Sequence, residues 1–298
     1  MEYRLLGNSD IKISRIGFGC MSLDLNDEYS ENVLLKALDG GINYFDTADM
    51  YQQGMNETML GHAFRGKRNQ VILATKVGNQ WRTDGSGWDW NPSGKYILSS
   101  IEQSLKRLQT DYIDLYQLHG GTLQDPIDDI IEVFEQLKKA GKIRQYGISS
   151  IRPNVIREWV RRSSLVSVMM QYSLLDRRPE EEMLSYLNEN KIGVLARGTL
   201  AKGLLVSKKA EHYLNYSAEQ VKSVSATIQS VSEFKRSFLE TAIQYVLHHQ
   251  EINSAVLGIR TADQLRDALD ISLQPSLSKN DMERLENVLP VNKFIDHR

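Results

Sequence analysis

With 298 residues, 41% of them hydrophobic, the chain can bury a large core, and α/β barrels reach this size as one domain, here expected to span 1–298. A net charge of −2 offers no basic surface for nucleic acid or an anionic membrane. Cys20 stands alone, which excludes an internal disulfide, the start Met1-Glu2-Tyr3-Arg4-Leu5-Leu6 lacks the apolar core of a signal peptide, and no run approaches a membrane span, so a cytoplasmic protein is expected.

Taken in order, residues 3–5 and 12–14 flank the turn-rich Gly7-Asn8-Ser9-Asp10, which predicts an N-terminal β-hairpin. From Ile16 a strand-then-helix pattern repeats: strand 16–19 and helix 30–39, strand 42–45 and helix 56–65, strand 71–76 and helix 94–108. Strand 112–118 is followed by helix 126–140, ending at Gly141 as a C-cap, and strand 143–148 by helix 153–161, led by Pro153 in its first turn. Strand 166–170 precedes helix 179–190, and strand 192–196 precedes a helix at 233–249. Strand 254–257 leads into helix 261–271, and a helix near 278–288 is extra.

The strands are short and nearly continuously apolar, as a parallel sheet buried on both faces requires. Eight such units, with no Gly-x-Gly-x-x-Gly after the first strand, favour a closed (β/α)8 TIM barrel over an open doubly wound sheet, with the hairpin as a cap and extra C-terminal helices. Two connections are long. Residues 77–93 hold Trp81, Trp88 and Trp90 among glycines and read either as a surface loop or as an apolar wall over the mouth. Residues 197–232 contain a middle part, 217–230, that is either helical or disordered.

In a barrel, functional groups sit after the strands. As an isolated pair, Asp46 and Tyr51 read more readily as a turn cap and a packed ring. Lys76 and His119 close two further apolar runs, and charge at the end of a buried strand must be paired or solvated. Asp, Tyr, Lys and His at successive strand ends form a proton-transfer set. His62, His212, His248, His249 and His297 lack metal-ligand spacing, so no metal is expected, and Cys20 reads as a small buried hydrophobe.

Over nearly its whole length the chain resembles the aldo-keto reductases, in their bacterial, potassium-channel-β-subunit-like branch. The resemblance rests on Gly17-Phe18-Gly19, Asp46-Thr47-Ala48 with Tyr51-Gln52-Gln53-Gly54-x-Asn56-Glu57, Ala74-Thr75-Lys76, and Asp114-Leu115-Tyr116-Gln117-Leu118-His119. Gly147-Ile148-Ser149-Ser150, Gln171-Tyr172-Ser173 and Gly203-Leu204-Leu205 complete it. It implies a catalytic tetrad of Asp46, Tyr51, Lys76 and His119 acting on a small-molecule carbonyl with NADPH. Tyr51 would be the general acid. Ordinary tyrosine titrates near about 10, too high for easy proton exchange at neutral pH, and a nearby lysine ammonium stabilises the phenolate. Asp46 would orient that lysine, and His119 would aim the carbonyl oxygen.

By the same resemblance Ser149, Ser150 and Gln171 hold the nicotinamide carboxamide, although the family usually has Asn at 150. Arg197 stands where most relatives stack a Tyr on the ring; an arginine plane also stacks, but it brings a positive charge. Gly198, Leu200, Lys202 and Gly203 fall in or beside the loop that straddles the pyrophosphate. Gly258, Arg260, Gln264 and Asp267 lead into a helix N-terminus suited to the 2′-phosphate of NADP, with Ala268 replacing the family's adenine-contacting Asn. Met50, Trp81 and Trp88 are expected to touch substrate. The main expectation is an NADPH-dependent reductase of aldehydes and some ketones. A cofactor-binding regulatory protein with a protein partner is the alternative, and a Schiff-base aldolase through Lys76 is a rival at the level of fold alone.

Overall fold

The computed structural model describes residues 1–24, 29–232, 236–271 and 276–298. Tyr3–Leu5 (β1) and Lys12–Ser14 (β2) form the antiparallel hairpin that their turn residues predict. The other strands are Ile16–Gly19 (β3), Tyr44–Asp46 (β4), Ile72–Val77 (β5), Asn79–Trp81 (β6), Trp88–Trp90 (β7), Ile113–Leu118 (β8), Ile143–Ser149 (β9), Ser167–Gln171 (β10), Gly193–Arg197 (β11) and Ile252–Gly258 (β12). All but β1, β2, β6 and β7 close into one barrel in the order β10-β11-β12-β3-β4-β5-β8-β9, with every pairing parallel.

Helices Tyr29–Asp39 (α1), Met55–Ala63 (α2), Gly94–Leu108 (α3), Ile127–Lys139 (α4), Pro153–Arg162 (α5), Met183–Glu189 (α6), Ala218–Ser232 (α7), Phe238–His248 (α8), Ala262–Ile271 (α9) and Lys279–Glu286 (α10) accompany the strands. α3 shows why these segments are helical. Ser93 caps its first turn by accepting from the Tyr96 amide, and Ile97, Ile101, Leu105 and Leu108 bury one face. Each such buried side chain contributes about 1.5–3 kcal/mol. Outward strand residues such as Phe18, Phe45, Leu73, Tyr116 and Ile148 join the layer beneath the helices. Inward residues Tyr44, Ala74, Leu115, Met169, Leu195 and Val256 form a separate inner cluster with Leu6, Ile11 and Ile13 of the hairpin segment.

The hairpin therefore plugs the end of the barrel where the strands begin. Gly7 (φ +54°) lies so near the Val166 carbonyl and the Gly193 amide that a Cβ would come within 2.2 and 2.8 Å of them. That leaves the carboxyl ends of the strands as the open mouth.

The structure refines several expected boundaries. Asp46 is the last residue of its strand rather than the first beyond it, and the strand that holds Lys76 runs one residue further, to Val77. The run expected as a helix at 179–190 divides into a 3₁₀ turn, Arg178–Glu181, and α6, because Glu182 leaves helical geometry at φ −162°. The helix expected from 233 starts at Phe238, where Ser237 and Glu240 form a reciprocal capping box; residues 233–235 lie outside the described residues. The middle of 197–232 is helical, as α7. Residues 77–93, expected without regular structure, are mostly a hairpin: Trp81 faces Trp88, and the turn closes with the Arg82 amide donating to the Gly87 carbonyl at 2.9 Å.

Candidate active site

Strand periodicity brings the site together. Side chains two residues apart share a face, so the inner-cluster positions Tyr44, Ala74, Leu115, Met169, Leu195 and Val256 put Asp46, Lys76, Gln117, Gln171, Arg197 and Gly258 inward at the open mouth. Gly19 and Ser149 take the same place on β3 and β9, since Phe18 and Ile148 point outward. His119 follows β8, its amide donating to the Val77 carbonyl at 2.8 Å.

Lys76 is the hub. Its Nζ is 2.5 Å from Asp46 Oδ1, 2.6 Å from the Thr47 carbonyl and 3.5 Å from the Tyr51 hydroxyl. Asp46 Oδ2 accepts from Gln117 Nε2 at 3.2 Å and from the Tyr44 hydroxyl at 3.4 Å. Burial works against the Lys76 charge, but Asp46 and Tyr51 outweigh it and hold the ammonium above the ordinary lysine range. Burial also pushes the Asp46 carboxyl up, against the pull of Lys76 and Gln117. The proton belongs to Lys76, whose Nζ points donors at three oxygens, so the pair is ionised at neutral pH.

The Tyr51 and His119 rings meet edge to face at 5.8 Å. Burial, then Lys76 and Arg197, depress the His119 imidazole to about 3, so it is neutral at working pH, and its buried Nδ1 has no hydrogen-bond partner among the described residues. A neutral imidazole offers one N–H and one lone pair. The cluster can thus hold a phenol beside an ammonium and aim one imidazole donor at the same space.

Behind Tyr51 lies a second layer that the sequence reading missed. Thr47 donates to Asn56 Oδ1 at 2.6 Å, and Asn56 Nδ2 donates to the Cys20 carbonyl at 2.8 Å. Fully buried Glu57 accepts from Thr75 at 2.6 Å and from Arg107 Nε at 2.7 Å. Asp49 accepts from Ser100 and Tyr96. For Gln117 the signal was available, because alternation from Leu115 to His119 puts it on the inner face. No local pattern foretold Arg107 as the partner of Glu57, 50 residues away.

The other expected residues divide. Ser149 and Ser150 are buried at the end of β9, with Ser150 Oγ accepting from the Arg152 amide at 3.2 Å. Gln171 pairs in register with Arg197, and Gly198 (φ +66°) lies against Gln171. Leu200 is half-buried beside the 3₁₀ turn Ala201–Gly203, in which Lys202 is exposed in left-handed geometry at φ +59°. Arg260 is exposed ahead of α9, its backbone amide held by Gln264 Oε1 at 2.9 Å, and Asp267 is exposed on that helix. Met50 is half-buried, Trp81 Nε1 donates to its carbonyl, and Trp88 stays exposed on the hairpin. Trp90 turns away to donate to Asp125 Oδ1 at 3.0 Å.

Comparison with known proteins identifies the family. The family described as Aldo/keto reductase matches residues 15–290. The sequence is 45% identical to the oxidoreductase YqkF of Bacillus subtilis (strain 168), over 100% of both chains. It is 29% identical to the NADH-specific methylglyoxal reductase of Escherichia coli (strain K12), over 90% of this chain and 93% of that one. The solved aldo-keto reductase AKR11C1 from Bacillus halodurans, in its holo form, superposes with a TM-score of 0.94 at 44% identity, covering 100% of this chain and 99% of that chain.

Proposed function

Since the chain belongs to the aldo/keto reductase family, nicotinamide-dependent oxidoreductases of small carbonyl compounds, we propose that it reduces aldehydes, and some ketones, to alcohols with NADPH. The observation that carries this reading is the position of Lys76 Nζ, 2.5 Å from Asp46 and 3.5 Å from the Tyr51 hydroxyl.

The mouth suits a nicotinamide cofactor. Gly19 and Gly258 are register neighbours and leave one side of it without side chains. The side chains of Gln171 and Ser149 offer hydrogen-bonding groups engaged with no other described residue. When bound, the cofactor supplies the hydride. Tyr51 gives its proton to the carbonyl oxygen, Lys76 stabilises the phenolate left behind, and Asp46 keeps Lys76 charged and in place. Neutral His119 orients the oxygen by one hydrogen bond without competing as an acid. Support for NADPH is the exposed Arg260 ahead of α9, a cation beside a helix N-terminus. The NADH-specific relative from Escherichia coli makes both cofactors necessary in the test.

The test follows nicotinamide absorbance with a reactive aromatic aldehyde, using NADPH and NADH separately, in wild type and Tyr51→Phe. Aldehyde-dependent oxidation of NADPH that falls at least about a hundredfold in Tyr51→Phe is expected for loss of a general acid. Faster turnover with NADH would remove the 2′-phosphate role of Arg260. Unchanged activity in Tyr51→Phe would remove Tyr51 as the acid.

A further inference from the structure

Three ionised side chains project inward at the open mouth: Asp46, Lys76 and Arg197. The first two neutralise each other at 2.5 Å. Arg197 ends β11 on the same face as Leu195, half-buried, and its side chain makes no hydrogen bond or ion pair to any described residue. The nearby carboxylate of Asp176 is already taken, both its oxygens accepting from Arg178 at 2.7 Å. Among the described residues the mouth therefore carries one uncompensated positive charge, and an arginine keeps that charge in any protein setting. Its field reaches Tyr51, Asp46 and His119.

A ring close enough to pass hydride to a carbonyl held between Tyr51 and His119 lies in that same field. The nicotinamide ring is uncharged in the reduced cofactor and cationic in the oxidised one. We propose that Arg197 selects the redox state of the cofactor: its unpaired guanidinium makes the mouth bind reduced nicotinamide in preference to oxidised, which favours carbonyl reduction and speeds release of the spent cofactor. The inference rests on the reading of this mouth as a nicotinamide site. Two unit charges about 7 Å apart at an effective dielectric of about 20 change an equilibrium by roughly fiftyfold at most, which the half-exposure of Arg197 and salt reduce towards about tenfold.

The test is binding without turnover. Wild type, Arg197→Gln, Arg197→Tyr and Arg197→Lys are titrated with NADPH and with NADP+, following protein fluorescence, after far-UV circular dichroism has established folding. The ratio of the NADP+ dissociation constant to that of NADPH is expected to fall about tenfold in either neutral variant, and to stay near the wild-type value in the lysine variant. Two neutral variants of different shape keep the test open if one of them fails to fold.

A purely structural role for Arg197 predicts that both forms weaken together with their ratio unchanged, and that result overturns the proposal. If wild type prefers the unphosphorylated cofactor, the same ratio is read with NADH and NAD+, so a failure of the NADPH assignment is separable from a failure of charge selection. If wild type binds no nicotinamide in either redox state, the reading of the mouth falls and this inference falls with it.

Discussion

The indole Nε1 of Trp81 donates to the backbone carbonyl of Met50 at 2.9 Å. Met50 immediately precedes Tyr51, and the two residues after it, Gln52 and Gln53, hold left-handed geometry at φ 44° and 54°. Gln52 Nε2 reaches the Leu23 carbonyl at 3.2 Å. Tyr51 is thus held on both sides, from Trp81 through its predecessor and from Gln52 behind it. Trp81→Phe keeps an aromatic ring and deletes the donor. We expect stability to fall by about 1 kcal/mol, the worth of one hydrogen bond, and kcat with an aldehyde to fall several-fold with KM little changed. A rise in KM at constant kcat would instead assign Trp81 to substrate binding.

Asp46 and Lys76 are 5% and 1% exposed, so each leaves a buried charge behind when the other is removed. Losing one partner of such a pair costs about 3–5 kcal/mol, whereas replacing both with uncharged groups is far milder. Denaturant unfolding of Asp46→Asn, Lys76→Met and the double variant is expected to show the double variant at least about 2 kcal/mol more stable than the sum of the single losses. Simple additivity would mean that the two groups do not act as an ion pair. All three variants are expected to lose reductase activity.

The barrel was legible because its strands are mostly buried on both faces and read as short, nearly continuous apolar runs. Asp46, Lys76 and His119 were legible as charged or polar ends of such runs. The hairpin over 79–90 was not, because Asn79-Gln80-Trp81 and Trp88-Asp89-Trp90 are three residues each and mixed in polarity. Its hold comes from tertiary partners: Trp90 packs over Gly78, where a Cβ would approach the indole to 2.5 Å, and Arg82 pairs with Asp89. The Glu57–Arg107 and Asp49–Ser100 contacts were hidden for a related reason. They join α2 and the catalytic loop to α3, and no local period records which helix packs beside which.

His119 gives a pH prediction. Its imidazole is depressed from 6.5 to about 3, first by burial and then by the charges of Lys76 and Arg197. The folded state therefore binds fewer protons than the unfolded state between those values. Stability from this group is fully present above about pH 6.5 and is lost as pH falls towards 3. The ring signals of His119 in NMR should not titrate between about pH 5 and 8, and an acid limb of kcat in that range must come from another group. A His119 midpoint near 6 would show that the imidazole is charged at working pH and that its role is not that of a neutral donor.

Asp49 carries the opposite sign. It lies beside a cavity of about 380 Å³ lined also by Asn79, Trp81, Tyr96, Ser100 and Arg107. Its Oδ2 accepts from Ser100 at 2.9 Å and Tyr96 at 3.2 Å, while its buried Oδ1 has no partner among the described residues. Burial, and then the negative charge of Glu57, push the carboxyl from 3.8 up to about 7, against the pull of the two hydroxyls and Arg107. Between those values the folded state binds more protons than the unfolded state, so stability falls as pH rises through that window. Asp49→Asn keeps the shape and an acceptor oxygen and removes the titration. Relative to wild type it should gain about 2 kcal/mol of stability between about pH 5.5 and 8, read from urea midpoints at the two pH values. A variant that tracks wild type at both would show that Asp49 is ionised throughout, with solvent in the cavity satisfying the free oxygen.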